Sequence, residues 1–261
     1  NVLSMSLTRE ELKEFLDEKV ELYNRPSFIE ADPISIPHRY SNKEDIEIAG
    51  FLSATIAWGN RKMILKNSVR MMEILEDSPY EFIVNSTDCE LDRAIRFVHR
   101  TFNLTDLAYF LKALRFIYRD RGGLETIFET YKTSDSLQPA IHVLHEIFFE
   151  LPHEKRTERH VSDPFKGSAA KKINMFLRWM IRKDDKGVDF GIWDSISPSI
   201  LSCPLDIHSG NIARKLGILK RKQNDAKAVA ELDGVLRSFD PEDPVKYDFA
   251  LFGLGAVEKF S

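Results

Sequence analysis

The chain has 261 residues, is 43% hydrophobic and 30% charged, and carries a formal net charge of −4, which marks an ordinary globular protein large enough for one domain or two coupled lobes. No apolar run approaches the length of a membrane span and the first residues lack the basic-then-apolar order of a signal peptide, so no membrane partner is expected. Two cysteines, Cys89 and Cys203, lie too far apart in sequence for a CxxC unit, which excludes a disulfide framework and a cysteine-only metal cluster and points to a reducing, cytoplasmic setting. Asn1 suggests a shortened or tagged start, with Met5 as a candidate native one. The charge is uneven: residues 151–222 hold 15 Lys and Arg against 8 Asp and Glu, leaving −11 on the remainder. That basic region suits either a polyanionic partner or a solvated helical face.

Apolar residues recur at three and four nearly throughout, which predicts an all-α protein. Thr8 and Glu11 have the capping-box form and open a helix with Leu12, Phe15, Leu16 and Val20 on one face, stopped by Pro26. Asp32-Pro-Ile-Ser-Ile-Pro-His38 reads as an extended loop. Ser41 and Glu44 repeat the capping signal before a helix at 46–58 that is apolar on nearly all sides and belongs inside a bundle. Further helices are expected at 60–75, 105–119, 124–131 and 139–151, with Gly122 and Gly123 as a helix stop. Residues 152–163 read as a charged hinge or surface loop, and the last third carries helices at about 168–182, 207–216, 225–237 and 244–258.

On the helix near Ser168, Ile173, Phe176, Leu177, Met180 and Ile181 form a core stripe, which places Lys171, Arg178 and Arg182 on the opposite face and Lys172 on its flank near Trp179. A snorkelling solvent face competes with a functional basic stripe. The first helical turn disfavours cations, and a like-charged neighbour lowers an amine's pKa further, the condition for a nucleophilic lysine. Lys166-Gly167-Ser168 is a small-residue turn able to offer backbone N–H groups to phosphate. Asp206 fits a helix N-cap, and such a carboxylate is held rigidly enough to serve in catalysis as well. His142, His145, His153 and His160 lack a carboxylate or cysteine at firm ligand spacing, so no metal is expected. Trp58, Trp179 and Trp193 read as core, Trp193 least obviously so.

Three stretches resemble the helix-hairpin-helix DNA glycosylase superfamily, in a divergent branch. Phe51-Leu-Ser-Ala-Thr-Ile-Ala-Trp58 is similar to its early buried helix; Lys166-Gly-Ser-Ala-Ala-Lys171-Lys172 to its hairpin and following helix; Pro204-Leu-Asp206-Ile-His208 to its Val-Asp-Thr-His segment. Asp240-Pro-Glu-Asp-Pro244 and residues 249–255 fit its closing helices more loosely. Thr55 stands where many members have Gln, and Phe165-Lys-Gly-Ser-Ala169 replaces the usual Gly-Val-Gly. The 35-residue separation of Lys171 and Asp206 is nearest that of some archaeal 8-oxoguanine glycosylases, and Phe176-Leu-Arg178 resembles a run that follows their lysine.

The resemblance implies a two-lobed helical bundle forming a single glycosylase-like unit over residues 1–261, with one lobe at about 46–160 and the other at 161–261, against which 1–45 packs. It implies a base-excision glycosylase, with an associated lyase activity, acting on a flipped damaged base in duplex DNA, 8-oxoguanine among the lesions. Lys171 is the preferred nucleophile and Lys172 the alternative, Asp206 stabilises positive charge on the sugar, and Lys166, Gly167, Ser168, Arg178, Arg182 and His208 contact nucleic acid. No cofactor is implied, and no iron–sulfur cluster. The competing readings are a non-catalytic nucleic-acid-binding protein that keeps the fold, and a helical scaffold for another protein.

Overall fold

The computed structural model describes residues 7–93 and 96–258; Met5 lies outside them. With 64% helix and 2% strand, the protein is all-α. Helix α1 (Arg9–Tyr23) starts as its sequence dictates: Thr8 Oγ1 accepts from the Glu11 amide at 3.2 Å, and the Glu11 carboxylate accepts from the Thr8 amide at 2.7 Å. Leu12, Leu16 and Val20 are buried, with Phe15 packed at their edge. The expected extended loop after it is instead a series of 3₁₀ turns, at Pro26–Phe28, Pro33–Ser35 and Pro37–Arg39. Each begins with proline, whose missing N–H costs nothing at the first position of a turn.

Helix α2 (Lys43–Thr55) is buried from Ile46 to Thr55, as an apolar helix must be; its N-cap is Asn42, and no side chain completes the cap. Helix α3 (Arg61–Ile74) is capped by Asn60, whose Oδ1 accepts from the Met63 amide at 3.2 Å. Short elements that the periodicity did not reveal follow: α4 (Pro79–Asn85), α5 (Asp88–Arg93) and an antiparallel pair, β1 (Val98–His99) and β2 (Phe102–Asn103). Then come α6 (Leu104–Asp120), α7 (Leu124–Tyr131) and α8 (Gln138–Phe148), with Gly122 and Gly123 both at positive φ in the stop between α6 and α7.

The charged connection after α8 is no free hinge. It contains a 3₁₀ turn, Lys155–His160, in which Thr157 and His160 are buried. Thr157 Oγ1 and Arg156 reach the same Asp106 oxygen, at 2.7 and 2.8 Å, and Asp106 is itself fully buried while closing the capping box of α6. Hydrogen bonds of this kind offset much of the desolvation cost of Thr157, Arg156 and Asp106, which lets a hydrophilic run pack inside.

The last third holds α9 (Lys171–Ile181), α10 (Ile207–Lys215), α11 (Ala226–Phe239) and α12 (Tyr247–Phe252), the last running into a π-helical turn, Gly253–Val257. Two apolar cores result. The larger gathers α2, α6, α7, α8 and α9 with residues 196–201; the smaller gathers α1, α10 and α11. Helix α12 belongs to both, giving Phe249 to the larger core and Ala250, Leu251 and the following Leu254 to the smaller. Apart from α12 and Val245, the chain passes from the larger core to the smaller near Cys203, and the N-terminal segment is divided, with α1 on the smaller core and Ile34 and Ile36 on the larger.

Helices α1 and α12 meet at Gly253, where a Cβ would come within 2.1 Å of the Tyr23 ring. Gly253→Ala should lose about 1–3 kcal/mol from this overpacking, read as a lower urea midpoint at unchanged slope. An unaltered midpoint would mean that the two helices are not in this contact.

Candidate functional site

Asp163 accepts from the Phe165 amide at 2.9 Å and starts a 3₁₀ turn, Pro164–Lys166. Gly167 then turns the chain at φ +91°, with open space where a Cβ would stand, so its glycine answers a backbone requirement and not a packing one. Ala170, at φ +47°, is the N-cap, and Lys171 is the first residue of α9. Asp206 occupies the corresponding position at α10: its Oδ1 accepts from the Ser209 amide at 3.0 Å, and its own amide donates to Ser209 Oγ at 2.9 Å. The second carboxylate oxygen is left for another task. Asp206 Oδ2 stands 3.9 Å from Lys171 Nζ.

Both groups line one cavity of about 280 Å³. Its walls come from both sides of the molecule: Ala57, Gly59 and Arg61 from the end of α2 and the start of α3, Lys171, Met175 and Arg178 from one face of α9, and Asp206, His208, Asp248 and Phe252 from the smaller core's side. Phe28 adds an aromatic edge, 5.4 Å from the Phe252 ring at 77°. Spacings of four and three along α9 put Lys171, Met175 and Arg178 in one row.

Residues 32–257 match the model of a family described as a protein of unknown function, DUF2400. The chain belongs to the DUF2400 family. Of the cavity's lining residues, Phe28 alone precedes the matched span. Comparison with curated proteins and with solved structures gives no match.

In this DUF2400 protein the basic stripe expected on α9 is not on the surface. Lys171, Arg178 and Arg182 share a face, but Arg178 and Arg182 are 4% and 2% exposed. Arg178 lies 3.2 Å from Asp189 and 2.6 Å from Asp248; Arg182 lies 2.8 to 3.0 Å from Asp184, Asp189 and Asp243. Burial disfavours both charges, but these carboxylates outweigh it and raise both pKa values. Neither guanidinium is free to meet a phosphate, which corrects their assignment as nucleic-acid contacts. Arg178 serves as the cavity's polar floor. Beside it, burial pushes the Asp248 carboxyl up to about 6 against the pull of Arg178. The approach of Asp248 to α9 comes from tertiary packing, and no sequence signal marked it.

The adjacent lysines have separate environments. Lys172 turns to Trp58, its ammonium 3.8 Å from the ring centroid, rather than to Trp179. Burial, and then the charge of Lys171, lowers its pKa to about 7. The lysine with the lowered pKa is thus not among those that line the cavity. Reach decides before acidity does, so Lys171 is the residue that a ligand in the cavity would meet.

Lys166 is exposed, 3.9 Å from Asp163, while Ser168 Oγ accepts from the Ala170 amide at 3.1 Å. His208 is exposed at the cavity rim. His142 pairs with Asp163 at 3.1 Å and stacks on exposed Phe165 at 4.3 Å, and His145 bonds the Val161 carbonyl at 2.7 Å. These histidines brace the segment that leads into α9. Trp193 is fully buried, its indole N–H donating to Glu47 at 2.6 Å.

Helix α11 holds the segment that delivers Asp206. Arg237 donates to the Ser199 and Leu201 carbonyls at 3.1 and 2.9 Å, and Asp233 accepts from the Cys203 amide at 2.9 Å. Burial raises the Asp233 carboxyl from 3.8 to about 6, against that amide, Ser202 and Arg237. Because the folded pKa is the higher one, its favourable share of stability is complete below about 4 and disappears as pH rises through about 6. A difference of that size is worth about 3 kcal/mol. Asp233→Asn should therefore gain stability relative to wild type between pH 4 and pH 7, as read by denaturant midpoints; a stability difference constant with pH would show that Asp233 is ionised without cost.

Proposed function

We propose that this DUF2400 protein is a DNA N-glycosylase with an associated lyase step, acting on a damaged base flipped from duplex DNA. The observation that carries the reading is the 3.9 Å approach of Lys171 to Asp206 in one cavity. A volume of about 280 Å³ is at the small end of ligand pockets, which run from about 300 Å³ upward, and suits a single base better than a dinucleotide. A base inside a duplex is unreachable, so the target nucleotide must leave the stack. The 35-residue spacing and the hairpin resemblance make 8-oxoguanine the first lesion to test.

In this reading the neutral Lys171 amine attacks the sugar C1′ and the base departs with the bonding electron pair. Asp206 Oδ2 faces the positive charge that develops on the sugar, while its Oδ1 remains committed to the helix cap. Charge stabilisation from a group already fixed needs no reorganisation during the reaction. Loss of the amine proton and opening of the sugar ring give a Schiff base; removal of a C2′ proton then expels the 3′ phosphate and cleaves the strand.

Duplex DNA carrying 8-oxoguanine or an abasic site, mixed with the protein and borohydride, should give a covalent adduct. Lys171→Gln should abolish the adduct and Lys172→Gln should keep it. Salt-sensitive binding with neither adduct nor base release would move the protein to the non-catalytic class. Asp206→Asn separates cap from catalyst: Asn caps helices about as well as Asp, so the melting temperature should hold while base release slows by about 100-fold or more. Equal losses of both would reduce Asp206 to a cap.

A further inference from the structure

The loop from α10 into α11 carries Lys220, Arg221 and Lys222, with Lys227 in the first turn of α11. We propose that residues 220–227 and the hairpin turn at 166–168 form one continuous edge that binds the phosphate backbone of a nucleic acid strand passing the cavity. The inference rests on the glycosylase reading for the identity of the strand.

Two connections fix the loop in place. On the hairpin side, the Ala226 amide donates to the Gly167 carbonyl at 3.0 Å, and Ser168 pairs with Asp225 as an antiparallel bridge. On the cavity side, Asn224 Nδ2 donates to the Asp206 carbonyl at 3.0 Å, and Asn224 Oδ1 accepts from Arg214 at 2.6 Å. Arg214 also donates to the Arg221 carbonyl at 2.8 Å. Asn224 lies so close to α10 that a Cβ at Gly210 would come within 2.6 Å of its Oδ1. The loop thus joins the turn before Lys171 to the cap at Asp206.

The charge on this frame is arranged outward. Arg221 is held by Asp225 at 2.5 Å, and Glu231 accepts from the Lys220 amide at 2.5 Å. Lys166, Lys220, Lys222 and Lys227 are exposed. A solvated face needs no strap to the helix cap at Asp206, whereas exposed cations on a fixed backbone suit a polyanion. Phosphate contacts orient a nucleic acid without reading its sequence. They also account for a basic margin on a chain that is acidic elsewhere, and they supply the external cations that Arg178 and Arg182 do not.

The test is fluorescence anisotropy of the full chain on a 20-base-pair duplex with a stable abasic analogue, titrated across salt concentrations. The triple variant Lys220→Gln, Lys222→Gln, Lys227→Gln should bind about tenfold or more weakly, with a log–log salt slope shallower by about 0.9 for each phosphate no longer neutralised. Gly210→Ala, which displaces Asn224 with every lysine intact, should weaken binding too. A triple variant that folds and keeps the wild-type affinity and slope overturns the proposal, as does a wild type with no affinity at low salt. The wild-type borohydride adduct, measured alongside, reports separately on the chemistry: an adduct with an unchanged triple-variant slope removes this edge and keeps the glycosylase, while a weakened variant and no adduct does the reverse.

Discussion

The buried guanidinium of Arg178 sets the geometry on which the site depends. It joins α9, in the larger core, to Asp248 on α12, the helix that serves both cores, and to Asp189 in the connection that follows α9. Burying an unpaired cation costs several kcal/mol, so the ion pairs tolerate little displacement of either helix. Two turns toward the N-terminus on the same face, Lys171 is held opposite the start of α10. Arg182 repeats the arrangement one turn below with Asp184, Asp189 and Asp243. The cavity lies against this polar joint, with Arg178 and Asp248 among its walls.

Above that joint, two helix starts converge, and each supplies something different. The first turn of a helix presents unpaired amides and a positive potential. At α10 this potential is satisfied by Asp206, which makes the carboxylate rigid. At α9 it opposes Lys171, which finds its compensation in Asp206 across the cavity. The neighbouring Lys172 is stabilised by the Trp58 face instead, in a pocket that also holds His99 and His160. Burial lowers the pKa of His160 to about 4 and also lowers that of His99, so neither imidazole adds a charge against Lys172 at neutral pH. One residue of sequence thus separates an amine in the cavity from an amine in a structural cation–π contact.

Much of this was legible in the chain. Thr8 and Glu11 announced their cap, the apolar run at 46–58 announced a buried helix, and periodicity grouped Lys171, Arg178 and Arg182 correctly on one face. It misjudged what that face meets. A 3.6-residue period assigns charged residues to solvent, and only the arrival of Asp184, Asp189, Asp243 and Asp248 from later in the chain reverses the assignment for the two arginines. Thr157 and His160 went inside for the same reason, as Asp106 and Trp58 received them. The short helices α4 and α5 and the two-residue strands are too brief to show a period. The loop at 220–227 carried its lysines openly, but its straps to Gly167 and Asp206 exist only in three dimensions.

The central claim is that the Lys171 amine, and not its neighbour, meets a ligand in the cavity beside Asp206. Mass-spectrometric mapping of the protein after borohydride reduction on abasic DNA addresses it most directly, because it locates the modified nitrogen in the unaltered chain. The account predicts that the sugar remnant is found on Lys171. A remnant on Lys172, or on an amine remote from Asp206, would contradict it.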